Sequence, residues 1–209
     1  MSPSRAAPNR PSPSNLGVSR ETFERLEAYV ALLLQWQGHI NLIAPSTIPE
    51  IWTRHIQDSV QLHRLKPEAR LWVDLGSGGG LPGLVLASIL VETPGSAIHL
   101  VESNGKKASF LRHVATELQL PAIVHSQRIE DAIPALPTPD VVTARALSSL
   151  TDLIGYSNLL LKSGAVGLFP KGRDAGEELT EAQKSWHFTY ALHESTTDAA
   201  AKIVELRLT

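Results

Sequence analysis

The chain has 209 residues, with 19 basic and 21 acidic side chains and a net charge of −2, which leaves room for one domain of ordinary size plus an extension and not for separate cofactor and substrate domains. Near-balanced charge gives no global polyanion signal, so any contact with nucleic acid has to come from a local patch. The absence of cysteine excludes a disulfide framework and thiolate chemistry, and the lack of a membrane-length apolar run or a signal-peptide core predicts a soluble, cytoplasmic protein.

Residues 1–15 carry Pro3, Pro8, Pro11 and Pro13 among serines, a composition that buries too little surface to order itself. A mobile tail over residues 1–19 is expected. Arg5, Arg10 and Arg20 stand in this region without an acid, so it reads as a solvated tail or an RNA-touching arm. From residue 20 to about 37, Phe23, Leu26, Tyr29, Val30, Leu33 and Leu34 draw one helical stripe, which Gly38 ends. A second helix is expected over about 48–65, with Ile51, Ile56, Val60 and Leu62 apolar. In it Arg54 and Asp58 are spaced to pair on a helix surface, and His55 has no second ligand at metal-binding spacing. Residues 20–70 thus form a helical cap ahead of a core over 71–209, in a single domain.

At residues 71–83 the chain reads LWVDLGSGGGLPG: a short apolar run closing on Asp74, then a turn with Gly76, Gly78 and Gly80, then Leu81 and Pro82. This predicts a buried strand, a tight loop and a helix start, with Pro82 in the first turn. Alternate glycines permit positive φ and leave no Cβ against a ligand lying on the loop. A dinucleotide fingerprint would place its third glycine where Leu81 stands. A strand-terminal carboxylate would repel a pyrophosphate and suit a cation, which favours the amino and sulfonium groups of S-adenosylmethionine.

Beyond this loop strand and helix alternate, the pattern of a parallel sheet with helices on both faces. Strands are expected near 71–75, 97–102, 122–126, 140–144, 164–169, 186–193 and 202–208, and helices near 82–92, 105–118, 148–162 and 174–184. The second strand ends on Glu102, 26 residues after Gly76 and near the offset at which an acid accepts hydrogen bonds from ribose hydroxyls. Ser103 or Asn104 can cap the next helix, and Lys106 and Lys107 in its first turn face phosphates or solvent. Ile129 and Glu130, after the third strand, would border the same crevice and could wall a purine. Arg145 leaves the fourth strand beside that crevice and can hold a phosphate, a carboxylate or a base edge. Lys171 and Arg173 extend a positive rim.

DLGSGGGLPG, VESNGKKASFLR, QRIED, VVTARALSSL and FPKG, with NLIA and RHIQDS upstream, together resemble the bacterial 16S rRNA (guanine-N7) methyltransferases, a family first named for a glucose-inhibited division protein. The likeness covers roughly residues 20–175 in one order and weakens after Arg173. It implies an α/β, class I S-adenosylmethionine-dependent methyltransferase fold, Rossmann-like, with a mostly parallel seven-stranded sheet and an N-terminal helical cap. The implied substrate is 16S rRNA or the small-subunit particle, methylated at N7 of a guanine, with neither a membrane nor a metal involved. The resemblance puts Gly76, Leu81, Ile129 and Glu130 on the donor and Arg145 at the reacting end, as the catalytic residue. Asp74, Gly78, Gly80 and Glu102 join the donor set on the strand-loop reading, while Arg54, His55 and Lys171 fall to the substrate side. The competing readings are a methyltransferase of the same fold acting on a protein or small molecule, a nicotinamide-dependent oxidoreductase, and a non-catalytic RNA-binding module.

Overall fold

The computed structural model describes residues 10–209. Seven strands form one sheet: β1 (Leu71–Leu75), β2 (Ala97–Val101), β3 (Ala122–His125), β4 (Val141–Thr143), β5 (Val166–Lys171), β6 (Phe188–Glu194) and β7 (Lys202–Leu208), in the spatial order β3-β2-β1-β4-β5-β7-β6. The first five run parallel, β7 pairs antiparallel with β5, and β6 closes the far edge antiparallel to β7. The expected strands are all present, with ends displaced by a residue or two. Their central members are apolar on both faces because both faces are covered by helices.

One face carries α2 (Arg20–Gln37), α3 (Asp58–Leu65), α4 (Gly83–Leu90) and α5 (Gly105–Glu117), which pack on Trp72, Ile98 and Leu100. The other carries α7 (Leu150–Lys162) and α8 (Ala175–Ala182) on Val73, Leu75 and Val142. Asn104 caps α5, its side chain accepting from the Lys106 and Lys107 N–H groups, as its residue type foretells. A four-residue helix, α6 (Ile129–Ala132), carries the two residues expected at the crevice after the third strand.

The cap departs from expectation in two places. The helix expected over 48–65 is a 3₁₀ segment (Pro45–Glu50), a π-helical turn (Trp52–Gln57) and then α3. Pro49 cannot donate within this run, and the wider π-turn puts Arg54 and His55 at its centre, a geometry that recurs at functional sites. Within the cap, the π-helical turn is fastened to α2 by Phe23 stacking on Trp52, centroids 5.3 Å apart.

The second departure is the tail, whose first nine residues lie outside the described ones. Residues 13–16 form a short helix, α1 (Pro13–Leu16), capped by Ser12. Leu16 is fully buried, and the Arg64 guanidinium donates to its carbonyl. One buried leucine and one charged donor thus override a composition that alone would leave the segment mobile. Arg10 pairs with Glu27 at 2.6 Å and Arg20 with Glu24 at 2.9 Å, so neither is a free basic arm. Among the described residues no helix is long and apolar enough to cross a membrane.

Candidate active site

A cavity of about 600 Å³ opens beyond the carboxyl ends of β1, β2 and β4, where ligands bind in open α/β sheets. The loop after β1 forms its floor. Gly76 and Ser77 donate backbone N–H groups to the Val101 carbonyl at 2.9 and 3.0 Å, which pins the loop against the end of β2. Gly76 has φ +69°, and a Cβ there would fall 2.7 Å from Leu147 Cδ1. The positive φ is what favours glycine here, since the partly exposed Leu147 side chain could yield to a Cβ.

Glu102 lines the cavity and is 8 % exposed. One carboxylate oxygen accepts from Gly78 N–H at 2.8 Å and the other from Asn104 N–H at 2.7 Å. Two backbone donors fix its plane and leave further lone pairs for a ligand. Gly76, Gly78, Leu81, Ile129, Glu130 and Arg145 line the same cavity, so most of the sequence-selected donor set converges.

Two members of that set do not. Asp74 is 1 % exposed and lies outside the lining. The alternation of β1 turns its side chain to the Trp72 face, beneath the first turn of α4, where Oδ2 accepts from Gly83 N–H at 3.2 Å and Oδ1 has no hydrogen-bond partner. Burial raises its pKa to about 7 against opposing pulls from Ser77, the Gly83 N–H and Arg145. The expectation that Asp74 faces a cationic ligand is thus corrected: it supports the loop from behind. Gly80, at φ +89°, also stays out of the lining, and its missing Cβ makes room for Leu84.

Arg145 is held by three bonds. Nη1 donates to the Arg54 carbonyl at 3.0 Å and to Asp58 Oδ2 at 3.2 Å, and Nη2 donates to His55 Nδ1 at 2.9 Å. A guanidinium only donates, so His55 Nδ1 must accept and the imidazole proton sits on Nε2. From there it is donated to Thr47 Oγ1 at 2.7 Å, whose hydroxyl donates to the Ala44 carbonyl at 2.7 Å. Burial, then the Arg145 and Arg54 charges, lower the His55 pKa to about 4, which keeps the ring neutral. Asp58 Oδ1 accepts from Gln61 Nε2 at 2.8 Å and Thr197 Oγ1 at 2.9 Å, and Gln61 Oε1 accepts from Thr196 N–H at 3.0 Å. Arg54 and Asp58 therefore do not pair with one another as their spacing suggests; both residues line a second cleft.

That cleft, of about 790 Å³, adjoins the first, and His55, Arg145 and Ala146 line both. Lys171 lies on its wall, but its ammonium pairs with Glu178 at 2.7 Å, donates to the Ser148 carbonyl at 2.7 Å and is 7 % exposed. This corrects its place on a free positive rim: Glu178, one turn into α8, neutralises it. Sequence reasoning missed Tyr156, which reaches the cavity from α7, and did not single out Leu42, Ile43 and Ala44 as its roof. Gln37 clamps that roof, accepting from Leu42 and Ile43 N–H at 2.9 and 3.0 Å and donating to the Ile43 carbonyl at 2.8 Å. A glutamine at the end of a helix carries no signal of such a role.

Residues 22–207 match a family model described as rRNA small subunit methyltransferase G. The ribosomal RNA small subunit methyltransferase G of Bradyrhizobium diazoefficiens is 54% identical over 181 residues, covering 86% of this chain and 70% of its own. That of Brucella anthropi is 52% identical over 189 residues, covering 90% and 89%. Among solved structures, the O-methyltransferase TomG of Streptomyces achromogenes in complex with S-adenosylmethionine aligns with a TM-score of 0.59 at 16% identity, over 89% of this chain and 90% of that one. A methyltransferase from Geobacter sulfurreducens aligns with 0.60 at 13%, over 87% and 89%. At such identities the likeness speaks for the fold alone.

Proposed function

This chain belongs to the rRNA small subunit methyltransferase G family, and on that premise we propose that it methylates N7 of a guanine in 16S rRNA with S-adenosylmethionine as donor. One observation carries the reading: Arg145 stands at the boundary between two adjoining compartments, as a group must that meets a donor on one side and a nucleotide on the other.

The residues of the first cavity fit the donor. Glu102, oriented by two backbone N–H groups, suits the hydroxyls of an unphosphorylated ribose and would repel a 2′-phosphate, which disfavours a phosphorylated nicotinamide cofactor. Gly76 keeps the floor free of a Cβ, and Ile129 and Glu130 offer an apolar wall and an acceptor for a purine. When bound, the donor supplies an electrophilic methyl group on a sulfonium.

Guanine N7 carries a free lone pair at neutral pH, so no side chain has to remove a proton from it. The chain's task is to hold the base in line and exclude water, which accounts for much of the rate gain available to such a reaction. Arg145 binds the guanine O6 or a flanking phosphate. Neutral His55 and Asp58 fix the guanidinium from behind, and His55 keeps its proton at Nε2 and serves no basic role. Arg54, at the cleft, serves the RNA side. N7 faces the deep, narrow major groove of A-form RNA, so the target base is a loop base or one splayed from its stack. Such a substrate places the protein's work in the cytoplasm.

The test is to map 7-methylguanine in 16S rRNA with and without this protein, and to supply labelled donor in vitro with naked rRNA, small-subunit particles and protein extract. A 7-methylguanine that disappears with the protein and returns with it is expected. An unchanged modification map, or label found only in protein, would refute the reading.

A further inference from the structure

A groove of about 640 Å³ lies outside both compartments, between the end of α2 and one face of α5. Trp36, His39, Ile40, Lys106 and His113 are on its walls, and no carboxylate lines it. It lies between two helices that cover the Trp72 face of the sheet. The α5 helix begins just past the carboxyl end of β2, so Lys106 is next to Lys107 on the cavity wall, and α2 runs out into the segment whose Leu42–Ala44 stretch forms the cavity roof.

The Trp36 indole is half-buried and braced by Phe110, centroids 5.5 Å apart, and by His113 at 5.4 Å. A braced aromatic ring beside an exposed ammonium, without an acid between them, is the pairing that single-stranded nucleic acid uses, with the base on the ring and the phosphate on the charge. Trp36 and Ile40 supply the apolar surface of the groove, and His39, Lys106 and His113 its polar and basic groups. The volume lies within the roughly 300–1,000 Å³ of small-ligand pockets. The methyl-transfer machinery described above has no use for these residues.

Resting on the rRNA reading, we propose that this groove holds a second, unpaired nucleotide of the substrate RNA, its base stacked on Trp36 and its phosphate at Lys106, while the target guanine occupies the cleft beside Arg145. Two anchor points would select RNA by the distance between two unpaired bases.

The test uses the full chain and a single-stranded 16S rRNA fragment with 7-deazaguanine at the target position, which has no N7 and so reports binding without turnover. Fluorescence anisotropy should show Lys106→Glu and Trp36→Ala weakening RNA binding by roughly tenfold, with Trp36→Tyr restoring most of it. Affinity for S-adenosylmethionine, read by calorimetry, and the thermal midpoint of Lys106→Glu should stay at their wild-type values. Wild-type RNA affinity in Lys106→Glu, or weakened binding confined to protein-containing particles, would overturn the groove while leaving the rRNA reading intact. A wild-type protein that neither binds nor methylates rRNA would overturn both.

Discussion

Replacing Asp74 by asparagine should alter how stability depends on pH. The folded carboxyl holds its proton up to about pH 7, against 3.8 for the ordinary group, chiefly because it is buried. Between those values the unfolded chain has released a proton that the folded chain retains, so wild-type stability falls as pH rises. The slope is about 1.4 kcal/mol per pH unit in the middle of this window and levels off near the folded pKa. From pH 5 to pH 7 the loss is therefore about 2 kcal/mol. Asparagine keeps an oxygen for the Gly83 N–H and does not titrate. Its amide N–H₂ takes the site of the unpartnered Oδ1, at a pH-independent cost of about 1–3 kcal/mol. Urea unfolding of both proteins at pH 5, 6, 7 and 8 should show Asp74→Asn gaining about 2 kcal/mol on wild type between pH 5 and 7, whatever its starting deficit. Stability curves that run parallel would refute the claim that Asp74 is buried and protonated beneath α4.

Arg145→Ala should lower single-turnover methylation at least about 100-fold while calorimetry shows donor binding nearly intact; normal turnover would exclude its role. Thr197→Val removes one bond to Asp58 and should reduce kcat a few-fold without changing the donor Kd, whereas an unchanged kcat would show that Arg145 needs no such anchor. Glu102→Gln sets an amide N–H₂ against the N–H of Gly78 or Asn104, and should weaken donor binding by about tenfold or more; an unaltered calorimetric Kd would argue against the ribose contact. Methylation of rRNA should fall steeply with salt if Lys106, Lys107 and Arg173 meet phosphates, and a flat log–log profile in a salt titration would remove them from the RNA surface.

The glycine loop and the strand-helix alternation were legible because both are local: turn chemistry and hydrophobic period are written within a dozen residues. Glu102 and Arg145 were found by the same logic, each being the polar residue at which an apolar strand gives out. Asp74 misled for a related reason. A strand-terminal acid looks the same whether it faces a ligand or lies under the next helix, and only packing on the Trp72 face decides. Lys171 read as a free charge because nothing local says that Glu178 folds back onto it. The order of the last two strands was hidden too, since a strand pattern does not say which neighbour it joins. The site around Arg145 joins residues about ninety positions apart, and no spacing rule reaches that far.

The turn between β6 and β7 returns to α3 through Thr196 and Thr197, while the glycine loop, Glu102 and Arg145 all belong to the first three-quarters of the chain. Removing this hairpin would strip Asp58 of its Thr197 bond and at the same time take the buried Ile203, Val204 and Leu206 out of the core, so the strand pair that steadies the guanidinium is one that the fold itself requires.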